Sequence, residues 1–230
     1  MELTDAMRST HANRYYKSDP VPNEVFYKAV EVARFGPQGG NRQPVRFLIV
    51  TDPENKAQLQ EWYLEPWNKY MEASLAGLKA IDAESGDAKA TNTGMKDPAK
   101  AFEAANHFAQ RFGEHPAIIV VLADIDETHP TDTDLDRLSI VGGASVYPLA
   151  QNLCLALRNQ GVATTFTTLL CAYEPQVKQL LDIPDNLSCA AFIVAGYPEK
   201  SFPTKLTRLP VEELAFINSL DNPVTASVQG

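Results

Sequence analysis

Apolar residues along the chain recur in two rhythms, and the alternation between them outlines the elements. Between Pro22 and Phe35, Val25, Phe26, Ala29, Val30 and Ala33 fall at spacings of one, three and four. That spacing puts a single apolar stripe on a helix. Pro22 near its start and Gly36-Pro37 beyond its end are the punctuation such a helix needs. VRFLIV at 45–50 and AIIVVLA at 117–123 are short, branched, continuously apolar runs and predict buried strands. A third strand is predicted in the threonine-rich stretch after Gly161, and a fourth in CAAFIVAGYP at 189–198. Asp52 before Pro53 reads as a helix N-cap. A long core helix is expected from Leu138 to Gln160, carrying Val146, Leu149, Ala150, Leu153, Cys154 and Leu157, with a kink at Pro148. EPQVKQLLDIP predicts a short helix, and residues 1–16 a short helix followed by Arg14-Tyr15-Tyr16.

Residues 62–113 fit this pattern least well. Trp62, Tyr63, Trp67 and Tyr70 lead into an alanine-rich helical stretch, a polar break at 83–94 and a further helix from about Pro98 to Phe112. This is either a helical lid or inserted lobe on one domain spanning 1–230, or two surface helices joined by a loop. The whole order, helices alternating with short strands, implies a sandwich in which helices cover a small sheet.

Composition narrows the function. The formal charge of −9 disfavours nucleic acid as a partner. The N-terminus lacks a basic, then apolar leader, and the apolar runs are too short to span a bilayer as helices, so a cytoplasmic protein with no membrane partner is expected. Three cysteines without CxxC spacing read as buried small hydrophobes. The acidic loop ADIDETHPTDTD lacks the glycine and terminal glutamate of a calcium loop; it reads as solvated, and no metal site is expected. The four histidines, His11, His107, His115 and His129, lack ligand spacing and read as surface or capping residues.

The richest stretch chemically is ARFGPQGGNRQPVRFLIVT, 33–51. Its Pro37-Gln38-Gly39-Gly40-Asn41 turn, set between a helix and a strand, offers backbone N–H groups to whatever lies against it. A planar, phosphate-bearing ligand such as a flavin would suit it. The phosphate would need arginines and a hydroxyl, available as Arg8, Ser9 and Arg14 at one end of the chain and Lys205 and Arg208 near the other. Taken by themselves, the same cations read as solvated surface. Donors for the ring would come from the Gly39–Asn41 turn and from Thr164 to Leu170.

Several stretches, in order, resemble the FMN-dependent nitroreductase family, which includes the iodotyrosine deiodinases and the flavin-cleaving BluB enzymes. They are MRSTHANRYY with PVPNEV; ARFGPQGGNRQPVRFLIVTDP; GGASVYPLAQNLCLALRNQGVATTFTTL; LLDIPDNLSCAAFIVAGYPEK; and TRLPVEEL. The resemblance implies an α+β fold, a three-layer α-β-α sandwich with a small mixed sheet, in an intertwined homodimer with FMN at the interface. It implies that Arg8, Ser9, Arg14 and Arg208 hold the phosphate and ribityl chain, with Lys205 a lesser candidate. Pro37, Gln38, Gly39 and Asn41 would face the ring from the partner subunit, and Ser145 would touch it from the core helix. Thr167, Thr168 and the Leu169 N–H would approach N5, the two threonines as the catalytic positions. The implied activity is reduction of a nitroaromatic, quinone or similar small aromatic acceptor by NADH or NADPH in a ping-pong cycle. Reductive dehalogenation, or flavin binding without turnover, are the alternatives. This sequence departs from the family pattern in the wide Arg8–Arg14 spacing, in Gln38 for a small serine, in Val45 for an aromatic and in the offset of Lys205.

Overall fold

The sheet that organises the molecule has strand order β1-β2-β4-β3, with β1 at Val45–Val50, β2 at Ala117–Asp124, β3 at Ala163–Thr167 and β4 at Leu187–Gly196. The computed structural model describes residues 1–85, 97–204 and 206–226. Strands β2 and β4 lie in the middle, buried on both faces, which is why their sequences are continuously apolar rather than alternating. All three ladders are antiparallel; one parallel bridge, Ala12 to Thr164, adds the N-terminal segment beside β3. The β2–β4 register shifts between Val121, opposite Ala191, and Leu122, opposite Cys189, so Ala190 is the extra residue of a bulge.

Six helices flank the sheet among the described residues: α1 (Leu3–Ser9), α2 (Asn23–Ala33), α3 (Pro53–Ser85), α4 (Pro98–Gln110), α5 (Tyr147–Asn159) and α6 (Glu174–Leu180). On one face Ile118, Val120, Leu122, Phe192 and Val194 pack against Leu59, Tyr63 and Trp67 of α3 and Phe108 of α4. On the other, Ile119, Val121, Ala191 and Ile193 meet Phe26 and Ala29 of α2 and Ala150, Leu153 and Leu157 of α5. This is the α+β, three-layer α-β-α arrangement that the resemblance implies, except that its small sheet was expected to be mixed and its three ladders are all antiparallel. Fully burying one such side chain contributes about 1.5–3 kcal/mol, so each layer is held by its apolar stripe.

Three expectations change. The core helix begins at Tyr147, not Leu138, and Pro148 occupies its first turn without kinking it. Proline is suited there because the N–H it lacks would have no partner anyway. Residues 62–113 are not simply surface: Tyr63, Trp67, Phe108 and Phe112 are buried against the sheet, and Trp67 Nε1 donates to Asn106. Trp62 is half-buried and stacks on Tyr173, which leaves Tyr70 as the exposed member of the aromatic group. Within the polar break, 83–85 continue α3 and the rest lies outside the described residues. Finally, His115 is buried between Tyr16 and Phe108 rather than on the surface, and its Nε2 has no hydrogen-bond partner. Burial pushes its pKa down to about 4.

Candidate functional site

The glycine turn is the most conformationally unusual backbone among the described residues. Gly40, Asn41 and Gln43 all have positive φ, at 60°, 54° and 55°. Glycine tolerates this region freely and asparagine fairly well, but for glutamine it is disfavoured, costing on the order of 1–3 kcal/mol. The turn holds that shape partly because the Gly39 N–H donates to the Ser145 hydroxyl at 3.0 Å. Asn41 N–H closes it locally onto Gln38 O at 3.1 Å.

Ser145 belongs to a segment fixed from a distance by Asp132. This carboxylate is 5% exposed and accepts from Ser139 Oγ at 2.6 Å, Arg137 Nη1 at 2.7 Å and Ile140 N–H at 3.0 Å. These bonds hold its pKa down at about 2. Asp132 was expected in a solvated loop; instead it anchors the approach to α5. The chain then turns through Val141–Ser145, and Gly143 lets the Tyr147 ring lie directly over it: an added Cβ would sit 2.2 Å from Tyr147 Cε2. Pro37, Gln38, Gly39, Glu127, His129, Gly142 and Ser145 together line a cleft of about 390 Å³. Two expected contributors, the turn and Ser145, therefore share one site. Glu127 and His129 join them from the acidic loop, where spacing gave no sign of it.

At the end of β3 the two threonines differ. Thr167 is half-buried, its hydroxyl 3.2 Å from the Tyr63 hydroxyl, and the Leu169 N–H approaches it at a long 3.5 Å. Thr168 is exposed, and among the described residues its hydroxyl has no hydrogen-bond partner. Phe166, just before them, is 40% exposed and lies 6.2 Å from the Tyr147 ring. Tyr63 was read only as part of the aromatic group; its role in orienting Thr167 is visible only once α3 is packed.

The phosphate candidates do not converge as a group. Arg8 is exposed on α1, and Arg208 is exposed in the tail with Nη1 donating to the adjacent Thr207 carbonyl. Lys205 lies outside the described residues. Arg14 turns to the α3–α4 layer, its guanidinium 5.3 Å from the centre of the Phe108 ring, and burial lowers its pKa. Ser9 faces α5 instead: it is 5% exposed, donates to Asp5 O at 2.6 Å and accepts from Arg158 Nε at 3.1 Å. Arg158, on the far end of the core helix, was not anticipated because it read as one more polar residue on α5.

The remaining reactive side chains stay inert. Cys154 and Cys189 are buried and Cys171 half-buried, and burial pushes their thiols up to about 11, 12 and 11 respectively. No helix among the described residues is long and apolar enough to cross a membrane.

The family model described as the Nitroreductase family matches residues 7–197, most of the chain. The chain belongs to the nitroreductase family. The match takes in every candidate site residue except Lys205 and Arg208, which follow it. Among relatives of this nitroreductase-family chain, YfhC of Bacillus subtilis, named for NAD(P)H nitroreductase activity, is 25% identical over 211 residues, covering 92% of this chain and 91% of that protein. The iodotyrosine deiodinase of Nematostella vectensis is 27% identical over 214 residues, covering 93% and 74%. The solved structure of an FMN- and NADPH-dependent nitroreductase, NfnB, from Sphingopyxis sp. strain HMH has the same fold, with a TM-score of 0.65 at 16% identity, over 95% of this chain and 100% of that one.

Proposed function

We propose that this nitroreductase-family chain is an FMN-dependent oxidoreductase that uses NADH or NADPH to reduce a nitroaromatic, quinone or similar aromatic acceptor. The observation that carries this reading is the meeting of Pro37, Gln38 and Gly39 of the turn with Ser145 in one cleft, bridged by the 3.0 Å Gly39–Ser145 bond. The names of the relatives, which pair flavin and nicotinamide chemistry, support it.

The donor set suits a flavin. Ring oxygens and nitrogens call for preorganised N–H and O–H groups, and the phosphate calls for cations without carboxylate partners. The Asn41 side-chain amide, the Ser145 O–H and the weakly engaged Leu169 N–H supply the former, with Pro37, Gln38 and Gly39 lining the same turn. Arg8 and Ser9, with Arg208 and Lys205 from the tail, are assigned to the phosphate end, and Arg14 is assigned to the ribityl side of the Tyr63–Thr167 pair. When bound, FMN takes hydride from the nicotinamide and passes the electrons to the acceptor. The protein's part is to orient and to exclude water: Tyr63 holds the Thr167 hydroxyl, and Thr168 presents a free one to the ring. Tyr70, exposed on α3, is the aromatic available to stack on an acceptor, and the outer part of α3 is the lid of the one domain we assign to 1–230.

The site is assigned to a homodimer in the cytoplasm. Leu138, Ile140 and Leu220 are 90%, 80% and 80% exposed, and Phe35, beside the glycine turn, is 74% exposed. Leu138 and Ile140 lead into the Val141–Ser145 wall of the cleft, and exposed apolar side chains of that size are suited to burial against a second copy. Under this reading the turn faces the flavin of the partner chain. A second reading, reductive dehalogenation, is favoured by the free Thr168 hydroxyl and by the deiodinase relative.

The test is anaerobic. Purified protein loaded with FMN is mixed with NADH or NADPH, then reoxidised with nitroaromatics, quinones and halophenols in parallel. Bleaching of the yellow colour followed by recovery on a nitroaromatic or quinone is the expected result. Recovery on halophenols alone selects dehalogenation. A flavin that neither nucleotide bleaches marks a binding protein without turnover.

A further inference from the structure

We infer that Arg158 is part of an anion site on this chain, closing over the phosphate monoester of the flavin that the proposed function requires. The inference rests on that reading and adds to it a residue from the core helix. Three segments distant in sequence meet at Arg158. Its Nε donates to Ser9 Oγ at 3.1 Å, which commits one edge of the guanidinium to the end of α1. Its Cζ lies 3.6 Å from the centre of the Phe202 ring, so the plane of the group is stacked on the first residues of the C-terminal tail. His11 stands edge-on to the same Phe202 ring, with centroids 6.4 Å apart, and its Nδ1 lies 3.3 Å from Ser9 O.

This arrangement leaves the other edge of the guanidinium unused. Among the described residues neither Nη atom has a hydrogen-bond partner, and no carboxylate lies within ion-pair distance of Arg158. Yet the side chain is half-buried, and burial lowers its pKa. A guanidinium held by a hydroxyl and a ring, partly out of water and without a counter-charge, is a fork set for two oxygens of an anion. The location also fits. Ser9 was assigned to the phosphate end from sequence, and the tail that Phe202 starts carries Arg208. Arg14, another of the expected phosphate ligands, is stacked over Phe108 instead. Arg158 supplies the charge at Ser9 that Arg14 does not.

The experiment compares FMN with riboflavin, which lacks the phosphate. Apoprotein of the wild type, R158Q and R158K is titrated with each flavin by fluorescence quenching, and folding is monitored by circular dichroism. We expect R158Q to weaken FMN binding at least tenfold and to leave riboflavin binding within about twofold, because a charge-assisted pair contributes about 1.5–3 kcal/mol. R158K, which keeps the charge on a different stem, should recover part of the FMN preference. If R158Q weakens both flavins equally, Arg158 only props α1 against the tail, and the inference is overturned. An unchanged FMN affinity in folded R158Q overturns it too, while leaving the flavin reading intact. Should R158Q not fold, R158K decides: FMN preference at or near the riboflavin level in a folded R158K counts against a charge-based role. A wild type that binds neither flavin removes the proposed function itself, and this inference with it.

Discussion

Gly39 and Ser145 stand 106 residues apart in sequence, yet the Gly39 N–H donates to the Ser145 hydroxyl at 3.0 Å and so fixes the glycine turn to the entry of the core helix. Replacing Ser145 with alanine removes the acceptor and leaves the rest of the turn in place. A single such bond contributes about 1 kcal/mol. S145A should therefore speed amide exchange at 38–43 and weaken flavin binding several-fold, with little change in melting temperature. Hydrogen exchange by mass spectrometry checks this; unaltered exchange in the turn would remove Ser145 from the site.

Asp132 should behave as a distant anchor of the same cleft wall. In D132N the amide keeps one acceptor oxygen where the carboxylate served Ser139, Arg137 and Ile140. Exchange across 139–145 should rise and flavin affinity should fall, even though Asp132 touches no ligand. Its folded pKa of about 2 lies below the ordinary aspartate value of 3.8. The stability it contributes is thus complete above pH 3.8 and is lost as pH falls toward 2, so between pH 5 and 8 the loop should show no dependence on this group.

His115 sets a different pH window. It is neutral in the folded protein, with its pKa down at about 4 against an ordinary 6.5. The unfolded chain takes up a proton first as pH falls, so stability present above pH 6.5 declines between 6.5 and 4. The shift corresponds to roughly 3 kcal/mol. Urea unfolding of wild type and H115F at pH 7.5 and pH 4.5 should show a smaller acid loss in H115F. Equal losses would place the acid sensitivity elsewhere.

The two threonines at the end of β3 should separate by function. T167V breaks the contact with Tyr63, and Y63F should reproduce its effect on flavin affinity and acceptor KM. T168V removes the free hydroxyl and should change the flavin's redox titration while affinity holds. A titration of T168V that overlays the wild type would argue against Thr168 as the group facing the ring.

Exposed leucine and isoleucine beside the cleft should mark the subunit contact. The double substitution L138E/I140E alters two side chains that are 90% and 80% exposed, so the fold of a lone chain should be unaffected. Size-exclusion chromatography with light scattering should report a shift toward monomer, together with loss of flavin. A dimer that persists with flavin bound would place the contact on another surface.

What could be read in advance follows from how local each signal is. The strands at 45–50 and 117–123 and the helix before Gly36 depend on apolar periodicity within one element, and they stand where that periodicity put them. The core helix was drawn to begin nine residues too early because 138–146 also carries apolar residues, Leu138, Ile140, Val141 and Val146. In the structure 140–146 runs through bends and turns instead, with the Ile140 N–H donating to the Asp132 carboxylate, a contact that has no counterpart in periodicity. His115 read as a surface or capping group and Trp67 as part of a lid or a surface helix for a related reason: whether an amphipathic side chain turns inward depends on which layer covers it.

The sequence by itself determined the element order and the identity of the glycine turn, because both are written in spacing and in residue types with narrow backbone preferences, while the three-layer plan came from the family resemblance. Only the tertiary structure decided where each candidate phosphate ligand lies. Arg8, Ser9 and Arg14 lie within seven positions of one another, yet the bridge between Ala12 and Thr164 lays this segment along β3, so that Ser9 meets Arg158 on α5 and Arg14 meets Phe108 on α4. Along an extended segment successive side chains point to opposite faces, and it is the packed layers on either side that give each one its partner.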